Sequence, residues 1–205
     1  MKVKIIKKEG AELSFSVEGI SPGFANALRR IMIGEVPTMA IEWVDFKKND
    51  STLPDEILAN RLGQIPLTFD KKAYDLPHEC KCDGKGCSRC QVELILKEKG
   101  PKIVYSGDLK SKAKDVKPVF DKIPIVELFE DEELQFEAIA QLGLGKEHVK
   151  WQAAVVGYNY DSDKFVFNLE SVSGLSPEEI VLSAAEILEK KMKEFQKSLN
   201  KLKKD

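Results

Sequence analysis

Apolar and polar residues alternate near the start of the chain, and the spacing then changes to that of a helix. Between residues 3 and 17 apolar side chains alternate with polar ones on both sides of a turn at Glu9 and Gly10, which predicts a β-hairpin. Ser21 and Pro22 supply a cap and a first-turn proline for a helix that continues to residue 33. The predicted apolar face of this helix consists of Phe24, Ala27, Leu28, Ile31 and Met32.

The middle of the chain has a pattern that is typical of strands. In residues 38–46, alternation places Met39, Ile41 and Trp43 on the same side of a strand. A short helix is predicted for residues 54–62, where a glycine and then a proline follow. Further strands are predicted at residues 92–96, 123–128, 134–140, 151–160 and 165–172.

The last predicted helix begins with a strong start signal and carries a long apolar stripe. The residues 176–179, Ser-Pro-Glu-Glu, combine a cap, a first-turn proline and a capping-box glutamate, and the pattern continues to Lys203. The second half of such a helix is expected to project beyond a small domain, so a second chain should cover it; the alternative is a helix that folds back across its own sheet. The stripe, called the seam below, follows heptad spacing through Val181, Ala185, Leu188, Met192, Phe195, Leu199 and Leu202.

Composition and charge narrow the class of protein. A hydrophobic share of 42% and a charged share of 32% are typical of a globular domain. The absence of a leader pattern and of an apolar run of ~18 residues favours a cytoplasmic protein with reduced thiols. The net charge of −2 argues against a chain that holds nucleic acid by itself. Residues 110–122 are rich in lysine, but Asp115 and Asp121 dilute that charge, so a solvated loop is expected.

All four cysteines lie within one short loop, residues 80–90, which is called the cysteine loop below. Their spacing is typical of a structural zinc site, and Gly84 and Gly86 allow the positive φ angles that let four sulfur atoms converge. An iron–sulfur cluster, disulfides and free thiols are the alternatives. The nearest histidine, His78, is interpreted as a bystander, so no catalytic zinc is expected. The candidate ligands are Cys80, Cys82, Cys87 and Cys90.

Catalytic motifs are missing from the sequence. It contains no glycine-rich phosphate loop, no catalytic triad and no HExxH motif, and no catalytic residue is assigned. The chemistry of the residues therefore favours a protein that binds partners over an enzyme with its own active site.

Six segments, in order along nearly the whole chain, resemble those of one protein family. They are SPGFANALRRIMIGEVPTMAIEWVDF (residues 21–46), LPDEILANRLGQIPL (53–67), VYSGDLKS (104–111), VKPVFDKIPIVEL (116–128), LGLGKEHVKWQ (142–152) and FVFNLESVSGLSPEEIVLSAAEIL (165–188). The family is that of the RNA polymerase α-like subunits, which includes bacterial α, its archaeal D-type counterpart and the third-largest subunit of eukaryotic nuclear polymerases. The overall pattern is most similar to the archaeal D-type members.

The resemblance implies an α+β fold with a discontinuous dimerisation domain. Residues 1–48 and 150–205 would form this domain from a sheet and two helices, and residues 49–149 would form a mostly β insert domain with the zinc loop. Many archaeal members carry a ferredoxin-like domain with iron–sulfur clusters after the strand that ends near Tyr160. Here residues 159–164 read as a bare turn, so that domain and its clusters are expected to be absent.

The resemblance also implies a function and partners. The chain would be a non-catalytic assembly subunit of DNA-directed RNA polymerase, a nucleotidyltransferase complex; it would form a heterodimer with subunit L and dock the large catalytic subunits. Arg29 and Arg30 lie off the apolar stripe, which suits contact with a third protein. The alternative function is a free-standing zinc-loop module that binds nucleic acid. The predicted partner interface consists of Phe24, Asn26, Ala27, Leu28, Arg29, Arg30, Ile31, Leu188, Met192, Phe195, Leu199 and Leu202.

Overall fold

The computed structural model describes residues 1–161 and 164–202. These residues form a mixed sheet and helix fold, in agreement with the predicted α+β class. The helices are α1 (Pro22–Gly34), α2 (Asp55–Gly63) and α3 (Pro177–Leu202). The strands are β1 (Lys2–Glu9), β2 (Glu12–Glu18), β3 (Thr38–Asn49), β4 (Gln91–Lys99), β5 (Lys102–Tyr105), β6 (Lys110–Ser111), β7 (Pro124–Leu128), β8 (Glu133–Gly143), β9 (Ala154–Asp161) and β10 (Lys164–Ser171).

The first sheet combines both ends of the chain. Its strands are antiparallel in the order β1-β2-β10-β9, so the predicted N-terminal hairpin pairs with the last strand of the chain. Apolar residues alternate with polar ones along these strands, so one face of the sheet is apolar. Helices α1 and α3 cover that face. Phe15 and Phe167 stack at the centre of that core with ring centroids 5.0 Å apart.

The second sheet belongs to the middle of the chain. Its strand order is β3-β8-β4-β6, and α2 together with the two-stranded ribbon of β5 and β7 packs beside it. The core between these elements is separate from the first core and includes the fully buried Phe136 and Leu94. Phe69 packs against both cores, so the two sheets meet at this side chain.

The structure differs from the predicted pattern on β3. A β-bulge between Ile41 and Trp43 adds one residue to β3 relative to β8, so the alternation reverses at this point. Met39 and Ile41 are buried as predicted, whereas Trp43 is 62% exposed and Val44 turns inward instead. The prediction that Trp43 shares a side with Met39 and Ile41 was therefore wrong.

Two smaller differences concern α1 and β9. Helix α1 begins after the predicted cap, where the Ser21 side chain accepts a hydrogen bond from the Phe24 N–H. Ala25 takes a buried place on its core face, while Phe24 remains 37% exposed. The strand predicted to start at Trp151 begins only at Ala154, because residues 149–151 form a 3-10 turn.

Helix α3 extends well beyond the core. Its capping box forms as predicted, since the Glu179 carboxylate accepts from the Ser176 N–H at 2.8 Å and from the Ser176 hydroxyl at 2.7 Å. From Glu189 onwards every described residue of the helix is exposed, which contradicts the alternative that the helix folds back across its own sheet. The predicted helix end at Lys203, and part of the turn predicted at residues 159–164, lie outside the described residues.

No helix in the described part of the chain combines the length and apolar character needed to cross a membrane.

Candidate functional site

An apolar groove opens on the surface where the first sheet meets α1 and α3. Its volume is about 420 Å³, and nearly all the surface that lines it is apolar. The residues that line it are Met1, Val3, Phe15, Val17, Phe24, Leu28, Val181, Ala185, Leu188, Glu189 and Met192. This groove is the main candidate for a binding surface, because single exposed apolar residues are common but a contiguous apolar surface marks a contact.

The groove exists because three elements each leave part of their apolar surface uncovered. The hairpin of β1 and β2 turns Phe15 and Val17 toward the helices, while Val3 on the edge strand stays exposed. Helix α1 contributes Phe24 and Leu28 from adjacent turns of one face. The side chains of this chain do not fill the space between these elements and α3, which leaves the groove open.

The seam on α3 continues the apolar surface past the end of the groove. Leu188 and Met192 line the groove, and the next seam residues lie on the projecting half of the helix. Phe195 is 59% exposed and Leu202 is 73% exposed. Full burial of a side chain such as Phe or Leu stabilises by about 1.5–3 kcal/mol, so covering this stripe would give substantial binding energy.

Helix α1 presents its other predicted interface residues in different ways. The Arg29 guanidinium group donates to the Asn26 side chain at 3.2 Å, so these two polar groups are paired on the surface. Arg30 is exposed and Ala27 is half-buried. Ile31 is buried in the core of the first sheet and has little surface left for a partner.

Sequence reasoning missed the contribution of the hairpin to this groove. Met1, Val3, Phe15 and Val17 line it, although only the two helices were predicted to do so. The alternation in the hairpin was a signal that one face needs cover. The sequence does not indicate that helices of the same chain leave part of that face open.

The cysteine loop brings the four predicted ligands together. All four sulfur atoms lie within 4.8 Å of one another, and His78 does not belong to this group. The Sγ of Cys82 lies 3.5 Å from the Sγ atoms of both Cys80 and Cys90. These separations are far longer than the ~2.05 Å of a disulfide bond, and all four thiols are free.

The sulfur geometry fits a tetrahedral metal ion. Zn–S bonds of about 2.3 Å at tetrahedral angles require sulfur separations of about 3.8 Å. The Sγ–Sγ distances of 3.6 Å from Cys80 to Cys87 and 3.8 Å from Cys87 to Cys90 agree with that value. The predicted positive φ angles are present, at 75° for Gly84 and 89° for Gly86. Four thiolates at these distances match the donor set that a structural zinc ion prefers.

The environment acts differently on the individual thiols. Burial raises the pKa of the Cys90 thiol to about 12, because a thiolate is poorly solvated there. Burial also acts against ionisation of Cys82, but contacts with the sulfur atoms of Cys90 and Cys80 outweigh it and lower its pKa to about 7. The main-chain N–H of Cys87 points to the Sγ of Cys90 at 3.3 Å, a contact that stabilises a thiolate at that position.

Comparison with known proteins agrees with the resemblance to RNA polymerase α-like subunits over most of the chain. A family model described as the RNA polymerase Rpb3/Rpb11 dimerisation domain matches residues 14–192. The chain is 49% identical over 181 residues to the DNA-directed RNA polymerase subunit Rpo3 of Methanosphaera stadtmanae. The aligned residues make up 85% of this chain and 66% of the relative. It is 46% identical over 164 residues to the Rpo3 subunit of Methanothermobacter thermautotrophicus, covering 78% of this chain and 62% of the relative.

A third relative gives a similar result. The Rpo3 subunit of Pyrococcus horikoshii is 48% identical over 160 residues, which cover 78% of this chain and 60% of the relative. The chain thus spans less than two thirds of the length of the curated relatives that it matches.

Proposed function

The chain belongs to the family of the RNA polymerase Rpb3/Rpb11 dimerisation domain, and we propose that it is a non-catalytic assembly subunit of an archaeal DNA-directed RNA polymerase. The relatives named Rpo3 support this assignment, since each covers more than three quarters of the chain. In this role the chain works in the cytoplasm. It supplies contact surfaces to the enzyme, and the nucleotidyl transfer takes place on other subunits.

The apolar groove with the adjoining seam is the observation that carries the proposal. It needs a partner that presents a complementary apolar helix and sheet face, and we assign this role to subunit L, the partner that the family resemblance implies. Leu188 and Met192 extend from the groove directly into the exposed part of the seam, so one partner is expected to cover both. The apolar character of this surface favours a stable heterodimer over a transient contact.

The two separate cores support the division into domains that the family resemblance implies. Residues 1–48 and 150–205 would form the dimerisation domain, and residues 49–149 would form the insert domain. The first core draws its residues from the hairpin, α1, α3 and the last two strands, whereas the second core draws its residues from positions 39–142. Met39 and Ile41 of β3 belong to the second core, although they fall within residues 1–48. The register of β9 and β10 brings Asp161 opposite Lys164, which supports a short connection without a ferredoxin-like domain.

The polar side of α1 is proposed to contact the large catalytic subunits. Arg30 is exposed, and Arg29 is held against Asn26 beside it, so two guanidinium groups are presented next to the heterodimer surface. The paired substitution Arg29→Ala and Arg30→Ala should weaken binding to the second-largest polymerase subunit and leave binding to subunit L unchanged. Unchanged binding to the large subunit would exclude this assignment.

The four cysteines are proposed to hold one structural zinc ion. Cys80, Cys82, Cys87 and Cys90 would be its ligands, and the ion would brace a loop that has little core of its own. With all four positions taken by thiolates, the site leaves no position for a substrate. Zinc is therefore assigned a structural role in the insert domain.

Co-expression tests the proposal directly. The full chain and subunit L should elute together as a stable one-to-one complex, while the purified chain should bind DNA only weakly at moderate salt. Failure to form this complex would contradict the assembly role. Tight binding of DNA by the isolated chain would favour the nucleic-acid module instead.

A further inference from the structure

The segment that leads into the cysteine loop, residues 70–79, lies along one side of α3. The ammonium group of Lys71 donates to the hydroxyl group of Ser183, which donates in turn to the main-chain carbonyl of Glu179 at 2.6 Å. Further along the helix, the Lys190 ammonium group lies 3.7 Å from the Glu79 carboxylate. Residues 183 and 190 are almost two turns apart, so both contacts lie on one face of α3, separated by about 10 Å along its axis.

This face of α3 points away from the seam. At about 100° per residue, Val181 lies roughly 160° around the helix from Ser183, and Met192 lies roughly 180° from it. Val181 and Met192 both line the apolar groove. Helix α3 is therefore held between the segment 70–79 on one side and the proposed partner surface on the other.

The same segment is attached to the cysteine cluster at two points. Glu79 directly precedes Cys80 in the sequence. Asp75 donates its main-chain N–H to the Arg89 carbonyl at 2.8 Å, and its carboxylate accepts from the Arg89 guanidinium group at 3.0 Å and 3.4 Å. Arg89 directly precedes Cys90. The segment is therefore connected to one candidate metal ligand through the chain, at Cys80, and to a second through Arg89.

The first half of the segment is anchored, since Tyr74 is buried in the second core and its hydroxyl group donates to the Asp115 carboxylate at 3.2 Å. The part that leads to Cys80 has no regular secondary structure to hold it. Residues 64–90 contain turns and one isolated bridge but no helix or extended strand. A stretch without ladder hydrogen bonds depends on local contacts for its order. A metal ion held by the four thiolates closes the loop and thereby fixes Cys80 and Cys90. The order of Glu79 and Arg89, the residues beside them, would then depend on the same closure.

We propose that metal loading of the cysteine cluster controls how firmly residues 70–79 hold α3, and so prepares α3 for its partner. A helix that is already ordered loses less conformational freedom when it binds. The statement about the partner rests on the proposed function. The statement about the order of α3 concerns this chain alone and is measured without a partner.

Hydrogen exchange of the full chain tests the effect on α3. Protein loaded with zinc is compared with protein from which zinc has been removed by a chelator under reducing conditions. Amides of residues 180–190 should exchange on the order of threefold more slowly with zinc than without it. The effect is small because the contacts that weaken in the zinc-free protein are few, polar and exposed. Equal exchange of these residues in the two states would overturn the inference.

A pair of variants separates this connection from general loosening of the protein. Lys71→Met combined with Lys190→Met removes both contacts to α3 but leaves the four cysteines in place. This variant should still bind one zinc ion, while zinc should no longer slow exchange in α3. The control is Lys193→Met, because the Lys193 ammonium group pairs with Glu189 within the helix, at 2.5 Å. The inference is wrong if the double variant responds to zinc as the control does.

Binding to subunit L supplies the second readout. The zinc-loaded chain should bind on the order of threefold more tightly than the zinc-free chain, and the double variant should lose this difference. A complex with equal affinity in both metal states would overturn the inference while leaving the proposed function intact. No complex in either state would overturn the proposed function instead, and the exchange measurement would still decide whether metal loading orders α3.

Discussion

The indole ring of Trp151 lies directly against the backbone of Gly143, so that a Cβ atom at Gly143 would come within 2.3 Å of the ring. The indole N–H of Trp151 donates to the Gln141 carbonyl at 3.2 Å, and the Trp151 main-chain carbonyl accepts from the buried Thr38 hydroxyl at 2.9 Å. The ammonium group of Lys150 lies 4.5 Å from the centre of the ring. These contacts fix the end of the second sheet to the chain that returns to the first sheet.

Substitution of this glycine should destabilise the whole chain. Gly143→Ala places a methyl group where the ring now lies, and the sheet leaves little room for either group to move. The free energy of unfolding in urea should fall by about 2–3 kcal/mol, as expected for an overpacked core. Gly157→Ala is the matched control, since a Cβ at Gly157 meets no atom within 4 Å. Similar losses for the two variants would contradict the proposed packing.

Much of this architecture can be predicted from local signals in the sequence. The capping box of α3 and the proline at the start of α1 each act within a few residues, and both helices begin where those signals stand. The grouping of the four sulfur atoms could also be predicted, because the ligands lie within eleven residues, from Cys80 to Cys90.

The features that could not be predicted depend on contacts between distant segments. The bulge in β3 arises from its register with β8, and nothing in residues 38–46 marks the extra residue. The hairpin side of the groove depends on the distance between α3 and the first sheet. Likewise, the contact between Lys71 and Ser183 joins residues that are far apart in sequence. Periodicity finds which face of an element is apolar, but it does not find what that face meets.

Fluorescence tests the reversed alternation in β3. The chain has two tryptophans, of which Trp43 is exposed and Trp151 is buried. Trp43→Phe should remove the emission that acrylamide quenches readily and should change the free energy of unfolding by less than about 0.5 kcal/mol. The remaining emission from Trp151 should be shifted to the blue and poorly quenched. Loss of the shielded emission instead would mean that Trp43 points into the core, as strict alternation predicts.

The capping box of α3 should give stability a dependence on pH. Hydrogen bonds from the Ser176 side chain and main-chain N–H hold the pKa of Glu179 below its usual value of 4.5. The unfolded chain therefore takes up a proton at Glu179 first as the pH falls, so this contribution is complete above about pH 5 and is lost below it. Glu179→Gln should cost about 0.5 kcal/mol at neutral pH and reduce the loss of stability between about pH 5 and pH 3.

Acid unfolding curves measure this effect, with Glu186→Gln as the control. Glu186 is exposed on the same helix and takes no part in the capping box. The control should keep the pH dependence of the unchanged chain. A Glu179→Gln curve parallel to that of the control would contradict the role assigned to this carboxylate.

Metal analysis should find one zinc ion per chain after purification without chelator. Cys82→Ser removes a sulfur atom that lies 3.5 Å from two of the other three, so zinc content should fall well below one per chain. Ser88→Ala is the control, because Ser88 lies in the same loop but supplies no ligand. Protein with full zinc content in both variants, or with the visible absorption of an iron–sulfur cluster, would exclude the four-thiolate zinc site.

The exposed part of the seam should contribute to binding and hardly at all to the stability of the isolated chain. Phe195 is 59% exposed, so Phe195→Ala should change the free energy of unfolding by less than about 0.5 kcal/mol. Affinity for subunit L should fall at least about tenfold, because an aromatic side chain that becomes buried in an apolar contact is a typical hot spot. Glu194→Ala, one position earlier on the same exposed half of α3, controls for changes in helix propensity. Calorimetric titration of both variants with subunit L decides the matter: equal affinities would mean that the partner covers a different face of the helix.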